Sequence, residues 1–217
     1  MKAHLLAVHI HPVDQAFAHF KEVDRALYKA ALPHLKTLKQ GTLKATKGTE
    51  HFPALVRSIV GQQLSTKAAD AIWLRLLEHS KGNLTPDTVI RTNVETLRTL
   101  GLSGAKVKTL QKLSEAILAN QLSLTSLSRV SEEKAIAALT QVWGIGRWTA
   151  EMFLIFTLNR PDVFSSGDLG LRRSVEKLYD LEAGVPIATL ENYALRWSPF
   201  RSVACRVLWL VRDSPDS

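Results

Sequence analysis

The chain has 217 residues, of which 46% are hydrophobic and 22% are charged, so its composition is that of a globular protein with a sizeable core. Its single cysteine excludes an intramolecular disulfide and any metal or iron–sulfur site built from several cysteines. The net charge of +8 favours an acidic partner: nucleic acid first, an anionic membrane or an acidic protein second.

Helical periodicity dominates the chain from residue 13 onward, and no segment shows a sustained alternation of period two. In chain order the predicted helices cover 13–32, two stretches of 49–80 that are broken near Gly61, the segment after Thr85, 103–121, 131–142, 147–158, 169–179, 186–196 and 200–212. Pro86 after Thr85, and Ser131 before acidic residues, are typical helix starts. The sequence therefore predicts an all-α protein of about ten helices.

The segment 141–152, QVWGIGRWTAEM, places two glycines around one isoleucine. A helix that ends near Val142 and another that starts at Gly146 would form a helix–hairpin–helix. The N–H groups at such a turn and the positive end of the second helix suit a phosphate, and Arg147 adds charge. The pattern also fits a plain interhelical turn, in which Gly144 caps one helix and Gly146 permits a close contact.

A second pattern places Asp168 after a Ser-Ser-Gly loop and directly before a predicted helix. Asp is among the favoured N-cap residues, so the position predicts a cap. A cap is compatible with a catalytic carboxylate, because it holds the side chain in one orientation and the helix dipole favours its negative charge.

Taken together, residues 140–173 resemble the helix–hairpin–helix, Gly/Pro-rich loop and aspartate motif of the HhH-GPD DNA glycosylase superfamily, in particular its 3-methyladenine DNA glycosylase II type. The stretches 52–65 and 196–210 agree, so the resemblance covers about residues 50–212. It implies an α-helical fold in two lobes with a central cleft. It also implies that Asp168 is the essential carboxylate.

The best-known bacterial member of that type carries an additional N-terminal β-rich domain. Here residues 1–50 precede the matching segment and read as helical. The Gly-, Thr- and Lys-rich segment 39–52 is the weakest join, and we interpret it as a loop because the residues before it are too few to fold alone. We therefore expect 1–217 to form one glycosylase unit of two α-helical lobes, without a separate N-terminal β domain.

The resemblance implies a hairpin that grips a DNA phosphate. The residues with that role are Gly144, Ile145, Gly146, Arg147 and Thr149. Backbone carbonyls of Thr140, Val142 and Ile145 would hold a structural Na⁺ or K⁺, and no other cofactor is expected. In GQQLS, Gln63 falls at the wedge position that fills the gap left by a flipped base, and Leu64 is the second candidate.

The residue after Arg147 separates two kinds of chemistry. Bifunctional members carry a lysine there, which forms a Schiff base and leads to strand cleavage. This chain carries Trp148, whose indole is not such a nucleophile. We therefore expect monofunctional hydrolysis of the N-glycosidic bond, in which Asp168 stabilises a cation-like sugar and positions or deprotonates water.

The resemblance places Trp148, Trp209 and Met152 around the flipped base. A cationic alkylated purine over an indole gains about 0.5–2 kcal/mol, and it leaves as a neutral base without a general acid. The same residues also fit a plain hydrophobic core. We interpret Trp143 and Trp197 as packing residues.

The expected partner is double-stranded DNA that contains alkylated bases of the 3-methyladenine or 7-methylguanine type, bound by a monomer. A glycosylase for another lesion, such as hypoxanthine or a mismatched base, and a non-catalytic helix–hairpin–helix DNA-binding protein are the alternatives. A helix-turn-helix regulator is disfavoured, because the helix after Gly146 is apolar where a recognition helix carries polar residues. Since no run of about 18 apolar residues occurs, we expect no membrane partner and a location in the cytoplasm, at a bacterial nucleoid, or in a nucleus.

Overall fold

A computed structural model describes residues 11–41 and 47–213, and within these ranges the chain forms thirteen α-helices and no strand. In chain order they are α1 (Pro12–Val23), α2 (Arg25–Ala31), α3 (Leu35–Gly41), α4 (His51–Gly61), α5 (Thr66–His79), α6 (Pro86–Arg91), α7 (Val94–Thr99), α8 (Gly104–Leu118), α9 (Glu132–Thr140), α10 (Arg147–Met152), α11 (Leu169–Leu178), α12 (Ile187–Ala194) and α13 (Arg201–Arg212). Short 3-10 helices cover Leu32–His34, Gly48–Glu50, Ser126–Arg129 and Leu195–Trp197, and a π-helix covers Phe153–Thr157. The all-α prediction is confirmed.

The chain divides into two compact units. Of the described residues, one unit combines 11–41 near one end of the chain with 161–213 near the other, and the second, central unit comprises 47–160. The first contains α1–α3 and α11–α13, and the second contains α4–α10. The segment 39–52, predicted to be a loop, begins within α3 and ends within α4. Residues 42–46 of this segment lie outside the described part of the chain. None of the described helices combines the length and the apolar character that a bilayer crossing needs.

In the unit that combines both ends of the chain, the structure differs from the sequence prediction at Asp24. This residue interrupts the helix predicted over 13–32. This carboxylate is 6% exposed, and its Oδ1 accepts the Leu27 amide at 3.0 Å, which caps α2. Its Oδ2 accepts the Tyr179 hydroxyl at 2.7 Å and the Trp197 indole N–H at 2.8 Å. Burial and the bond to Asp24 raise the pKa of Tyr179. Because a buried carboxylate needs donors, this cluster sets the break, and the packing role of Trp197 is confirmed.

In the central unit, α8 packs against α4, α6 and α7. The helix starts predicted at Thr85 and Ser131 are confirmed, since each side chain accepts an amide of the first turn. The helix predicted over 147–158 is instead α-helical to Met152 and π-helical after it. The wider π turn shifts the register of the side chains, so that Phe156 is half-exposed among buried neighbours.

Candidate active site

Asp168 is the N-cap residue of α11, as its position in the sequence predicts. Its Oδ1 accepts the Leu171 amide at 2.8 Å, and its own amide donates to the Ser165 carbonyl at 3.0 Å. The side chain is half-buried. The turn and the cap together hold the carboxylate in one orientation at the start of the helix.

Trp209, on α13, lies against this carboxylate. Its indole Nε1–H donates to Asp168 Oδ1 at 3.1 Å. The structure thus brings together two residues that the sequence analysis assigned to the site. It also gives Trp209 a role that the sequence analysis did not predict: the N–H edge of its indole orients the Asp168 carboxylate. Hydrogen bonds to charged groups contribute about 1.5–3 kcal/mol.

The loop before Asp168 is bound to the start of α13, the helix that carries Trp209. The Val163 amide donates to Ser202 Oγ at 2.9 Å, and Asp162 binds Arg201 Nε at 2.8 Å and Ser198 Oγ at 2.7 Å. Burial by itself would raise the pKa of Asp162, but the hydrogen bonds from Arg201 and Ser198 outweigh it and hold that pKa below its ordinary value. One helix therefore positions both the loop and the carboxylate.

Arg212 brings a positive charge beside Asp168, which the sequence analysis did not foresee. Its Nε and Nη2 bind Asp213 at 2.7 and 3.0 Å. A Cβ at Gly170 would lie 2.0 Å from Arg212 Nη1 and 3.1 Å from Asp168 Oδ1. The bond to Asp213, and then the charge of Asp168, raise the pKa of Arg212. A glycine at position 170 leaves the space that this guanidinium occupies.

The predicted hairpin is present, with α9 ending at Thr140 and α10 beginning at Arg147. Gly144 has a φ of +84°, and a Cβ there would lie 2.0 Å from Oγ1 and 3.0 Å from Cβ of Thr109, which is 3% exposed on α8. The Ile145 amide donates to the Val142 carbonyl at 3.0 Å. Glycine is required here both by the left-handed backbone and by the close approach of α8.

Gly146 and Arg147 behave differently from Gly144. Gly146 is extended (φ −87°, ψ 170°) and opens α10 without a side-chain cap, and no atom lies within 4 Å of a Cβ built on it. Arg147 Nε binds Glu151 Oε1 at 2.7 Å, where the Glu151 side chain is 1% exposed. The Glu151 carboxylate balances much of the Arg147 charge. An anion at the hairpin would therefore meet mainly the open backbone at Gly146, and little net positive charge.

The two wedge candidates stand on the turn between α4 and α5. Gln63 is exposed with a φ of +56°, and Leu64 is 41% exposed. Lys106 Nζ donates to the carbonyls of Val60 and Gln62, at 2.8 Å each, and burial lowers the pKa of this lysine. The start of the turn is therefore clamped, while its two candidate side chains face solvent.

Gln62 connects this turn to the hairpin, because its Nε2 donates to Thr149 Oγ1 on α10 at 3.0 Å. Thr149 is only 2% exposed and Ile145 only 4%. Their side chains are therefore part of the interior. Of the hairpin residues that the sequence analysis assigned to DNA, these two have only their backbone atoms left for such a contact. The Thr149 hydroxyl instead holds the turn that carries the two wedge candidates.

Two tryptophans of the central unit, Trp143 and Trp148, are more exposed than a core role allows. Trp148 is 43% exposed, whereas Met152, one turn later, is 8% exposed. The packing role expected for Trp143 is wrong: it is 47% exposed, and Lys108 Nζ lies 4.2 Å from its ring centroid. The side chain of Trp148 is therefore partly exposed, while Met152 offers little surface.

The three carbonyls proposed for a monovalent ion belong to residues of this hairpin. The Val142 oxygen already accepts the Ile145 amide, and a carbonyl oxygen has a second lone pair for an ion. Within the described ranges no group of three His, Cys, Asp or Glu side chains is placed to hold a metal. The donors available at the hairpin are neutral oxygens, which fit a hard cation of low charge.

The chain is similar to known proteins in both sequence and structure. The family model of the HhH-GPD superfamily of base excision DNA repair proteins matches residues 56–199. DNA-3-methyladenine glycosylase 1 of Schizosaccharomyces pombe is 36% identical over 174 residues, which cover 77% of this chain and 75% of the relative.

Two solved structures are similar over nearly the whole chain. The 3-methyladenine DNA glycosylase of Schizosaccharomyces pombe in complex with abasic DNA has a TM-score of 0.76 at 30% identity, covering 94% of this chain and 98% of that one. The DNA-3-methyladenine glycosidase of Bacillus halodurans has a TM-score of 0.76 at 32% identity, covering 95% and 91%.

Proposed function

The chain belongs to the HhH-GPD superfamily of base excision DNA repair proteins, and we propose that it is a monofunctional DNA glycosylase that hydrolyses alkylated purines from double-stranded DNA. Relatives named as 3-methyladenine DNA glycosylases support this substrate class. The observation that carries the proposal is the Asp168 carboxylate, held by the Leu171 amide and the Trp209 indole at the start of α11.

The chemistry follows from a fixed negative charge beside a sugar. As the bond from C1′ to the base nitrogen breaks, its electron pair leaves with the base and the sugar becomes cation-like. The Asp168 carboxylate stabilises that charge, and it costs little reorganisation because two N–H groups already hold it. Water then bonds to C1′, and its proton passes to the carboxylate and on to solvent.

An alkylated purine suits this arrangement because it carries a positive charge before the reaction. It departs as a neutral base, so no general acid is needed. The exposed ring of Trp148 offers a face for such a cation, worth about 0.5–2 kcal/mol. Trp148 also stands where a lyase would carry its lysine, which supports hydrolysis without strand cleavage.

The base must leave the duplex first, at a cost of a few kcal/mol. Exposed Gln63 or Leu64 would fill the gap, and the bond from Gln62 to Thr149 links that turn to the hairpin. The open backbone at Gly146 would receive a phosphate. The carbonyls of Thr140, Val142 and Ile145 would hold a Na⁺ or K⁺, whose charge would attract that phosphate.

The decisive test compares the wild type with Asp168→Asn on methylated duplex DNA. Asn caps helices as well as Asp, so the fold should persist while the charge is lost. We expect release of 3-methyladenine or 7-methylguanine by the wild type, with strand breaks only after alkali. The single-turnover rate of Asp168→Asn should fall on the order of 10²–10³-fold, while DNA binding is retained.

Other outcomes would identify another function. Strand breakage without alkali would exclude simple hydrolysis. Release of hypoxanthine from a duplex that contains this base, with no release of methylated purines, would identify another lesion as the substrate. If the wild type binds DNA and releases no base, the protein is a non-catalytic binder.

A further inference from the structure

A cavity of about 350 Å³ lies between α11 and α13 in the unit formed by both ends of the chain. Its lining residues are Arg173, Ser174, Lys177, Leu178, Val211 and Arg212. Three of these six carry a positive charge and none carries a negative one. The position of these charges on the two helices indicates what the cavity can bind.

Arg173 and Lys177 stand one turn apart on the same face of α11. Like charges at this spacing destabilise a helix. Both side chains are exposed, and in the described part of the chain neither pairs with a carboxylate. A bound anion between them would remove the repulsion.

Arg212 supplies the third charge from α13. Asp213 holds its Nε and Nη2, and its Nη1 lies over Gly170, near Asp168 Oδ1. The positive charges therefore begin beside the candidate catalytic carboxylate and continue along α11. Ser174 takes no part, because its single hydroxyl proton is already shared between the carbonyls of Gly170 and Leu208.

We propose that this cavity binds the phosphodiester backbone of the DNA strand as a second anchor, on the unit that does not contain the hairpin. The inference rests on the proposed function, which places the reacting nucleotide at Asp168. From there to Arg173 and Lys177 the helix rises by roughly 7.5 and 13.5 Å. At about 3.4 Å per nucleotide, the contacts would fall roughly two to four nucleotides from the everted base.

Phosphodiester fits this cavity better than other anions. An arginine guanidinium matches two phosphate oxygens, and a lysine adds a point charge. The charges extend from Arg212, beside the start of α11, to Lys177 on that helix. This spread fits the repeated charges of a strand better than one small anion, which would reach only part of it. The mixed lining, in which Leu178 and Val211 accompany the cations, also fits the apolar face of a deoxyribose.

The test is the salt dependence of DNA binding by the double variant Arg173→Gln/Lys177→Gln. Each phosphate contact makes the affinity fall by a further factor of roughly 3.5 when the salt concentration rises from 50 to 200 mM. A variant that lacks a contact is spared that factor. The double variant should therefore be roughly tenfold less sensitive to salt than the wild type, and it should bind a short undamaged duplex more weakly at 50 mM.

A matched control is Arg25→Gln/Lys29→Gln on α2. This pair has the same residue types, the same spacing and the same exposure in the same unit, and it does not line the cavity. It should keep a salt dependence close to that of the wild type. Thermal unfolding of both double variants checks that they are folded.

The inference is overturned if the two double variants have the same salt dependence. It is also overturned if Arg173→Gln/Lys177→Gln binds DNA like the control but loses binding of a polyglutamate peptide, which would assign the cavity to an acidic protein segment. Base release by the wild type is a separate measurement. If it is absent while the salt dependence still falls, the anchor stands and the proposed chemistry does not.

Discussion

The hairpin at 140–147 and the aspartate loop at 161–168 both lead into a helix, and the two regions use glycine in different ways. In the hairpin, Gly144 adopts a positive φ and packs on the buried Thr109. In the first turn of α11, directly after the aspartate loop, Gly170 leaves room for the end of a flexible side chain, that of Arg212. One glycine is therefore required by the backbone, and the other by a neighbouring charge.

The surroundings of the two turns differ in the same sense. Around the hairpin the side chains of Ile145 and Thr149 are buried and Arg147 is paired, while the backbone at Gly146 lies open. At the aspartate loop the functional groups are side chains, with Asp168 bound by Trp209. Substitutions should therefore reduce stability at the first region and function at the second.

The largest expected effect on stability belongs to Gly144→Ala. The new Cβ would overlap Thr109, which costs about 1–3 kcal/mol by overpacking, and a positive φ costs about 1–2 kcal/mol more. The free energy of unfolding should fall by roughly 2–5 kcal/mol, measured by urea denaturation. Gly146→Ala is the control, since its Cβ meets nothing within 4 Å. Equal losses in the two variants would show that Thr109 does not constrain the turn.

Trp209→Phe should affect the reaction more than the fold. It keeps an aromatic ring but removes the N–H donated to Asp168. Loss of one hydrogen bond to a charged group is worth about 1.5 kcal/mol, so the single-turnover rate of base release should fall roughly tenfold. Trp73→Phe, on α5 and outside both the hairpin and the aspartate site, is the control and should react at the wild-type rate. If Trp209→Phe released the base at the wild-type rate, the hydrogen bond to Asp168 would play no part in the reaction, and the ring would act by stacking only.

The smallest effect is expected from Gly170→Ala. Its Cβ would displace the flexible end of Arg212 and would shift Asp168 Oδ1 only slightly, and alanine favours the helix by up to about 1 kcal/mol over glycine. Stability should therefore hold, while affinity for duplex DNA falls severalfold and becomes less sensitive to salt. In an Arg212→Gln background the same substitution should have no further effect on affinity, which a double-mutant cycle measures. Additive losses would show that Gly170 acts independently of Arg212.

Local signals account for much of what could be predicted. Helical periodicity acts over three or four residues, and caps and turn glycines act over the same range. These signals placed the helix starts at Thr85 and Ser131, the cap at Asp168 and the turn at Gly144. They failed at Asp24, because the donors that make this buried carboxylate a helix break come from Tyr179 and Trp197, far away in the chain.

The sequence by itself determined an all-helical chain, its hairpin and the cap at Asp168, because each depends on neighbouring residues alone. Tertiary structure decided the partners, namely Trp209 for Asp168 and Thr109 beneath Gly144. It also separated two tryptophans of the same predicted role, burying Trp197 completely and leaving Trp143 47% exposed. The physical reason is that such contacts join helices distant in sequence, and their packing follows from the whole unit.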